Sequence, residues 1–165
     1  MSHNLFDGEN EFVFAADLLT FVLKQYQISW EWPNRPLHAT TTRFRPSIGY
    51  AILNYMIKNT TVLRSLWGAF FPGGLWSLEV FDAALVQLFF QRPGNEVPVV
   101  IVVCALVCHV ATFCARNGNL RLLDDFVGII ASVVWVKLGV DSMKWREFEA
   151  FAVERNEVLR IPCAA

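Results

Sequence analysis

The chain has little excess charge of either sign. Its 14 Lys and Arg and 15 Asp and Glu leave a net charge of −1, and the basic residues are scattered. A nucleic-acid-binding protein needs a basic patch to neutralise phosphates, so we expect no nucleic-acid partner. The beginning, MSHNLFDGENE, is polar and acidic and lacks the apolar segment of a secretory signal peptide. We therefore expect a reducing compartment, in which the four cysteines stay unpaired.

Catalytic and cofactor motifs are also missing from the sequence. His3, His38 and His109 fall in a tail, a loop and an apolar segment, without a nucleophile motif beside them. No Gly-rich phosphate-binding loop is present. Cys104, Cys108 and His109 lie close in sequence, but a metal site needs further ligands, so we interpret them as core residues. We expect no enzymatic activity, no cofactor and no metal.

One long hydrophobic run, from Val97 to Ala115, dominates the sequence. It reads VPVVIVVCALVCHVATFCA, in which only His109 and Thr112 are polar. Its many β-branched residues favour a strand, but strands rarely exceed about ten residues. We therefore predict a helix of about 28 Å, using about 1.5 Å per residue. A helix that is apolar on every face must be wrapped by other helices or placed in lipid.

The remaining segments have the 3.6-residue period of amphipathic helices. Helices are predicted over about 10–27, from Pro46 to the interruption at Asn59, over 62–71, from Ser77 towards Arg92, after Asn119 as a cap, and over 143–155. Their apolar stripes need a surface to cover, and no Lys or Arg cluster flanks 97–115 to set a membrane orientation. We predict an all-α globule in which these helices wrap a central apolar hairpin.

Two segments resemble the Bcl-2 family of apoptosis regulators. The stretch from Leu85 to Val110, LVQLFFQRPGNEVPVVIVVCALVCHV, resembles the family's first homology segment, and Asn95 falls where its Asn-Trp-Gly-Arg motif begins. Trp145-Arg-Glu-Phe148 resembles the Trp-x-x-Phe of the second homology segment. The resemblance implies a single Bcl-2-like domain over 1–165, with an apolar central hairpin wrapped by amphipathic helices.

The chain departs from the family pattern at the binding groove. Glu96-Val97-Pro98 stands where the family has Trp-Gly-Arg, so the family's close-approach glycine and its ligand-pairing arginine are both missing. Arg92 is the candidate substitute for that arginine. Gly49 matches the glycine of the third homology motif, but the Asp that follows it in the family is absent, which argues against a killer protein. The divergence, the short length and the missing C-terminal anchor resemble virus-encoded survival members.

The resemblance implies an inhibitor of apoptosis that sequesters the amphipathic BH3 helix of pro-apoptotic Bcl-2 proteins in a hydrophobic groove. Without the groove arginine we expect a narrow range of ligands. An empty groove exposes apolar surface, which predicts a homodimer. We expect a viral protein in the host cytoplasm, peripheral at mitochondria and without a stable transmembrane anchor. By position, the groove residues are Ile52, Met56, Leu63, Leu85, Leu88, Phe89, Arg92, Asn95, Val97, Val100 and Ile101.

Two other functions stay open from the sequence. The two apolar segments 97–115 and 126–136 could form a membrane-inserting hairpin that acts as a pore former. Alternatively, the helical fold could serve as an adaptor for a partner unrelated to apoptosis, because one fold hosts many functions.

Overall fold

Every regular element that the structure describes is helical. The structure is a computed structural model that describes residues 11–36, 42–70, 79, 83 and 96–160. The helices are α1 (Glu11–Gln25), α2 (Pro46–Lys58), α3 (Thr60–Phe70), α4 (Glu96–Arg116), α5 (Leu123–Lys137) and α6 (Ser142–Arg160). No strand occurs in these ranges, so the all-α prediction is confirmed there. Of the helix predicted from Ser77, only Glu79 and Ala83 are described, and both are helical.

Turn residues end the helices where the sequence indicates. Gly118 (φ 82°) and Gly139 (φ 59°) take the left-handed conformation just after α4 and α5, as glycine does at a helix C-terminus. The prediction that the Asn119 side chain caps the next helix was wrong, because this side chain makes no capping hydrogen bond. The Asn119 amide instead donates to the Cys114 carbonyl oxygen (2.9 Å) and closes α4. A 3-10 turn, Leu120–Leu122, then leads into α5.

The central helix α4 is the axis of the fold. It contacts all five other helices in the described part of the chain. It is also the one continuous helix there that is long and apolar enough to cross a membrane, yet 67% of its apolar window is buried inside the bundle. Its neighbour α5 packs along it, so the two consecutive apolar helices form the predicted hairpin. The other helices cover that hairpin with their apolar stripes.

Aromatic side chains fix α6 against α1. The ring centroid of Phe14 lies 5.0 Å from that of Trp145 and 6.3 Å from that of Phe148. The Trp145 indole nitrogen donates to the Gly139 carbonyl oxygen (3.1 Å), so its polar atom is satisfied at the edge of the core. The two residues of the Trp-x-x-Phe segment are therefore core residues that hold the last helix in place.

A buried amide sets the register of α2 on α6. The Asn156 side chain is only 8% exposed; its Nδ2 donates to the Ser47 carbonyl oxygen (2.9 Å), and its Oδ1 accepts from Asn54 Nδ2 (3.2 Å). A buried amide without such partners costs about 1–3 kcal/mol, so this pair of bonds favours one alignment of the two helices. Through this contact, α2 and with it the start of α3 are held in position beside α4.

The segment that follows α1 is tied across the bundle by two polar contacts. The Arg35 guanidinium donates to both carboxylate oxygens of Asp17 on α1, at 3.0 and 3.2 Å. The Trp32 indole nitrogen donates to Asp124 Oδ1 (2.8 Å) in the first turn of α5. These contacts hold the chain between Ile28 and Pro36 over the outer side of α1 and α5.

Candidate binding site

The predicted groove residues in the described part of the chain lie inside the core. Their exposed fractions are 0% for Ile52, 2% for Met56, 1% for Leu63, 0% for Val100 and 5% for Ile101. All five belong to one hydrophobic cluster, and Val97 is partly buried against it. These five side chains therefore offer almost no surface to a partner, and a binding surface must be formed by other, more exposed residues. Five more predicted groove residues lie outside the described residues: Leu85, Leu88, Phe89, Arg92 and Asn95.

Such a surface exists on α4. From Val100 onwards, the only positions of α4 that keep exposure are Val102, His109, Phe113 and Arg116. They are separated by seven, four and three residues, so they lie on one face of the helix. Phe113 is 51% exposed, which is unusual for a large aromatic residue on the central helix of a bundle. One face of the axis is thus left open along part of its length.

A cavity of about 410 Å³ opens on this face, between α4, α3 and the end of α2. It is lined by Tyr26, Met56, Thr60, Arg64, Trp67, His109, Val110, Thr112, Phe113 and Arg116. The α3 positions 60, 64 and 67 and the α4 positions 109, 113 and 116 both follow the i, i+4, i+7 pattern of a single helix face. Each helix therefore turns one stripe of side chains towards the cavity. Of the predicted groove residues that the structure describes, only Met56 lines it.

Aromatic rings form much of the cavity wall. The ring centroids of Trp67 and Phe113 lie 5.7 Å apart with an interplanar angle of 48°. The Arg116 guanidinium stacks over the Tyr26 ring, 4.9 Å from its centroid, as a cation–π pair. With Met56 and Val110 beside them, these side chains offer apolar surface that a second apolar group could cover.

The charge of the cavity comes from two arginines. Arg64 and Arg116 line it, and no carboxylate is among its described lining residues. Burial lowers the pKa of His109, and the nearby positive charge of Arg64 lowers it further, so His109 is neutral at pH 7. The hydroxyl groups of Thr60 and Thr112 donate to the carbonyl oxygens of Met56 (2.9 Å) and Cys108 (2.8 Å) in their own helix or the one before. The described lining of the cavity is therefore cationic and aromatic.

The cysteines of α4 have the chemistry of core residues. Burial raises the pKa of Cys104 to about 12 and that of Cys114 to about 11, and it raises the pKa of Cys108 as well. A thiol with a raised pKa stays protonated and is a poor nucleophile and metal ligand. Within residues 11–36, 42–70 and 96–160, no three His, Cys, Asp or Glu side chains are grouped as a metal site.

Comparison of the chain with protein-family models, with curated proteins and with solved structures found no match.

The groove predicted from the sequence did not include Trp67, His109 and Phe113. A signal was nevertheless present: His109 and Arg116, seven residues apart on an otherwise apolar helix, mark the face that carries Phe113 between them. On α3, Thr60, Arg64 and Trp67 mark a face in the same way. On a mostly buried helix, the polar positions therefore indicate the exposed face, whereas the most apolar positions indicate the buried one.

Proposed function

We propose that the protein binds the amphipathic BH3 helix of a pro-apoptotic Bcl-2 protein along the open face of α4 and thereby inhibits apoptosis. The sequence resemblance names the class of partner. The single observation that carries the proposal is the exposed stripe of α4 at the cavity, where half-exposed Phe113 stands beside Trp67. An amphipathic helix docks by laying its apolar face on such a surface.

The open face of α4 suits about two turns of a ligand helix. From His109 to Arg116 it spans about 10 Å at about 1.5 Å per residue, and Leu106, one turn before His109 on the same face, is fully buried. A ligand helix with apolar anchors at i, i+4, i+7 and i+11 needs about 17 Å for all four anchors. Three successive anchors, which span about 10 Å, can therefore contact this side of α4. Arg64 and Arg116 would lie beside the ligand and attract an acidic residue on it.

The packing of α2 supports a receptor rather than a helix donor. This helix carries Gly49, which matches the family's third homology motif, the segment that killer proteins present to their partners. Its apolar side is buried in the bundle through Ile48, Ile52 and Met56. To act as a donor, the chain would have to expose these side chains to water, at a cost of about 1.5–3 kcal/mol for each one.

The proposal is tested by titrating the full chain with a panel of BH3 peptides from pro-apoptotic Bcl-2 proteins, using fluorescence anisotropy. We expect saturable binding of a few of them. In Phe113→Ala the affinity should fall about tenfold or more, because a central aromatic contact is worth more than about 1 kcal/mol. Trp135→Ala is the matched control, since Trp135 is 48% exposed on α5, outside the cavity. Absence of binding across the panel, or equal loss in both variants, would contradict the proposal.

A second candidate function is membrane insertion of the apolar hairpin. The observation that favours it is that α4 meets the length and hydropathy of a membrane-spanning helix. Insertion would require the bundle to open, because most of that helix is buried. Membrane association that resists carbonate extraction would favour this function, and quantitative release by carbonate would exclude it.

A further inference from the structure

A second cavity, of about 350 Å³, lies on a different part of the bundle from the open face of α4. It is lined by Arg43, Arg45, Ile48, Ser142, Trp145, Arg146 and Glu149. The lining residues that the structure describes therefore include three arginines and one carboxylate, that of Glu149. They come from two separate parts of the chain, the segment before α2 and the start of α6, so the fold brings them together.

Two helix N-termini meet at this cavity. Arg45 is the N-cap residue of α2 and makes no side-chain capping hydrogen bond, and Ile48 lies in the first turn of that helix. Ser142, Trp145 and Arg146 belong to the first turns of α6. The amides of Ile48 and Gly49 donate to the Arg45 carbonyl oxygen, and the Met143 amide donates to the Asp141 carboxylate (2.8 Å). The dipole of α2 therefore adds to the field of the arginines, whereas the Asp141 carboxylate already offsets the dipole of α6.

Two of the arginines that line the cavity are held in place by contacts within the protein. The Arg43 guanidinium stacks on the Trp145 ring, 5.0 Å from its centroid. Arg45 Nη1 donates to the carbonyl oxygens of Thr42 and Phe44, which fixes that side chain against the preceding loop. Stacked and hydrogen-bonded guanidinium groups lose less conformational freedom when an anion binds.

We propose that this cavity binds a phosphate group. Guanidinium forks from two segments of the chain suit a tetrahedral acceptor with several oxygens better than a planar carboxylate. The Ser142 hydroxyl is a further donor in the lining. A volume of about 350 Å³ leaves room for the phosphate and several water molecules, each of which occupies about 30 Å³. The phosphate group is either a free ion or ester, or the headgroup of an anionic lipid.

The test is an NMR titration of the ¹⁵N-labelled full chain with inorganic phosphate, at constant ionic strength set with chloride. Saturable shifts are expected at the amides of Arg45, Ser47 and Ile48 and of residues 142–146. A parallel arm measures co-sedimentation with phosphatidylcholine vesicles with and without phosphatidic acid. Shifts with phosphate but no selective co-sedimentation assign the site to a soluble phosphate; selective co-sedimentation assigns it to the lipid headgroup.

Variants separate this site from general charge effects. Arg146→Gln should weaken phosphate binding about tenfold, because a charge-assisted hydrogen bond contributes more than a neutral one. Arg155→Gln is the matched control: it removes one arginine from the same helix, where Arg155 stacks on Phe151 outside the cavity. Both variants should unfold at the temperature of the parent chain. Absence of both saturable shifts and selective co-sedimentation, or equal weakening by both variants, would overturn the proposal.

Discussion

Arg64 on α3 faces His109 on α4 across the candidate cavity. Burial of the imidazole lowers the pKa of His109, and the charge of Arg64 lowers it further. An imidazole with a lowered pKa binds a proton less readily in the folded state than in the unfolded state. Folding stability therefore falls as the pH drops below the unfolded value of about 6.5 and keeps falling until the folded pKa is reached.

The variant His109→Gln should remove this part of the pH dependence. We expect its free energy of unfolding to change less than that of the parent between about pH 6.5 and pH 5, because glutamine does not titrate. Urea unfolding at a series of pH values measures the difference. In Arg64→Gln, NMR titration should give a higher pKa for His109 than in the parent chain. Equal pH slopes for the parent and His109→Gln would contradict this interpretation.

Gly49 is required by a close contact between α1 and α2. A Cβ atom there would lie 2.6 Å from Cδ1 and Cε1 of Phe21 and 2.9 Å from Cζ of Phe44. The Phe21 ring is held by Tyr50 (centroids 5.0 Å apart) and Phe44 (5.5 Å), so it has little room to move. We expect Gly49→Ala to destabilise the fold by about 1–3 kcal/mol in urea unfolding.

Gly128 on α5 provides the matched control for Gly49. A Cβ there would have no neighbour within 4 Å. Gly128→Ala should therefore stabilise the fold by about 0.5–1 kcal/mol, the usual gain from alanine inside a helix. A Gly49→Ala variant that is as stable as Gly128→Ala would show that α1 and α2 are not packed as closely as the structure has them.

The positions of the long helices follow from sequence pattern alone. The predicted central helix, Val97 to Ala115, is observed as Glu96–Arg116, because a run this long and apolar has no other stable form. The last helix was predicted to end at about Arg155 but extends to Arg160. There the side chain of Asn156 bonds to α2, a tertiary contact that helical periodicity does not encode.

The candidate site was harder to predict, because it depends on which face of α4 stays uncovered. Ile52 and Val100 have the same apolar character as groove residues in the sequence, yet both are fully buried. Hydrophobicity alone cannot distinguish an apolar side chain that packs inside the bundle from one that stays exposed at a binding surface. Phe113 differs from them in lying between His109 and Arg116, on the part of α4 that no neighbouring helix fully covers.

We expect partner binding to depend little on the acidic residue of the BH3 helix. A desolvated ion pair is commonly worth about 2–5 kcal/mol, but Arg64 and Arg116 are exposed, and exposed pairs contribute about 0–1 kcal/mol. An Asp→Ala ligand should therefore lose less than about tenfold in affinity, as measured by anisotropy with paired peptides. A loss of more than a hundredfold would mean that a desolvated arginine pairs with the ligand.

Self-association is expected when no partner is present. Half-exposed Phe113 and the cavity beside it place apolar and aromatic surface in water, which a second copy of the chain can cover. Light scattering should show a dimer at high protein concentration, and a saturating BH3 peptide or Phe113→Ala should shift the chain to a monomer. A monomer at all concentrations would contradict this expectation, as would a dimer that the peptide leaves intact.

The most direct test of the account is to map the peptide contact on the labelled chain. The BH3 peptide that binds most tightly is added to the ¹⁵N-labelled protein, and amide shift changes are measured by NMR. The account predicts that the largest changes follow α3 from Thr60 to Trp67 and the α4 stripe through His109, Phe113 and Arg116, while α6 stays unchanged. Changes confined to other surfaces, or none at saturating peptide, would contradict the claim that α4 leaves one face open to a partner helix.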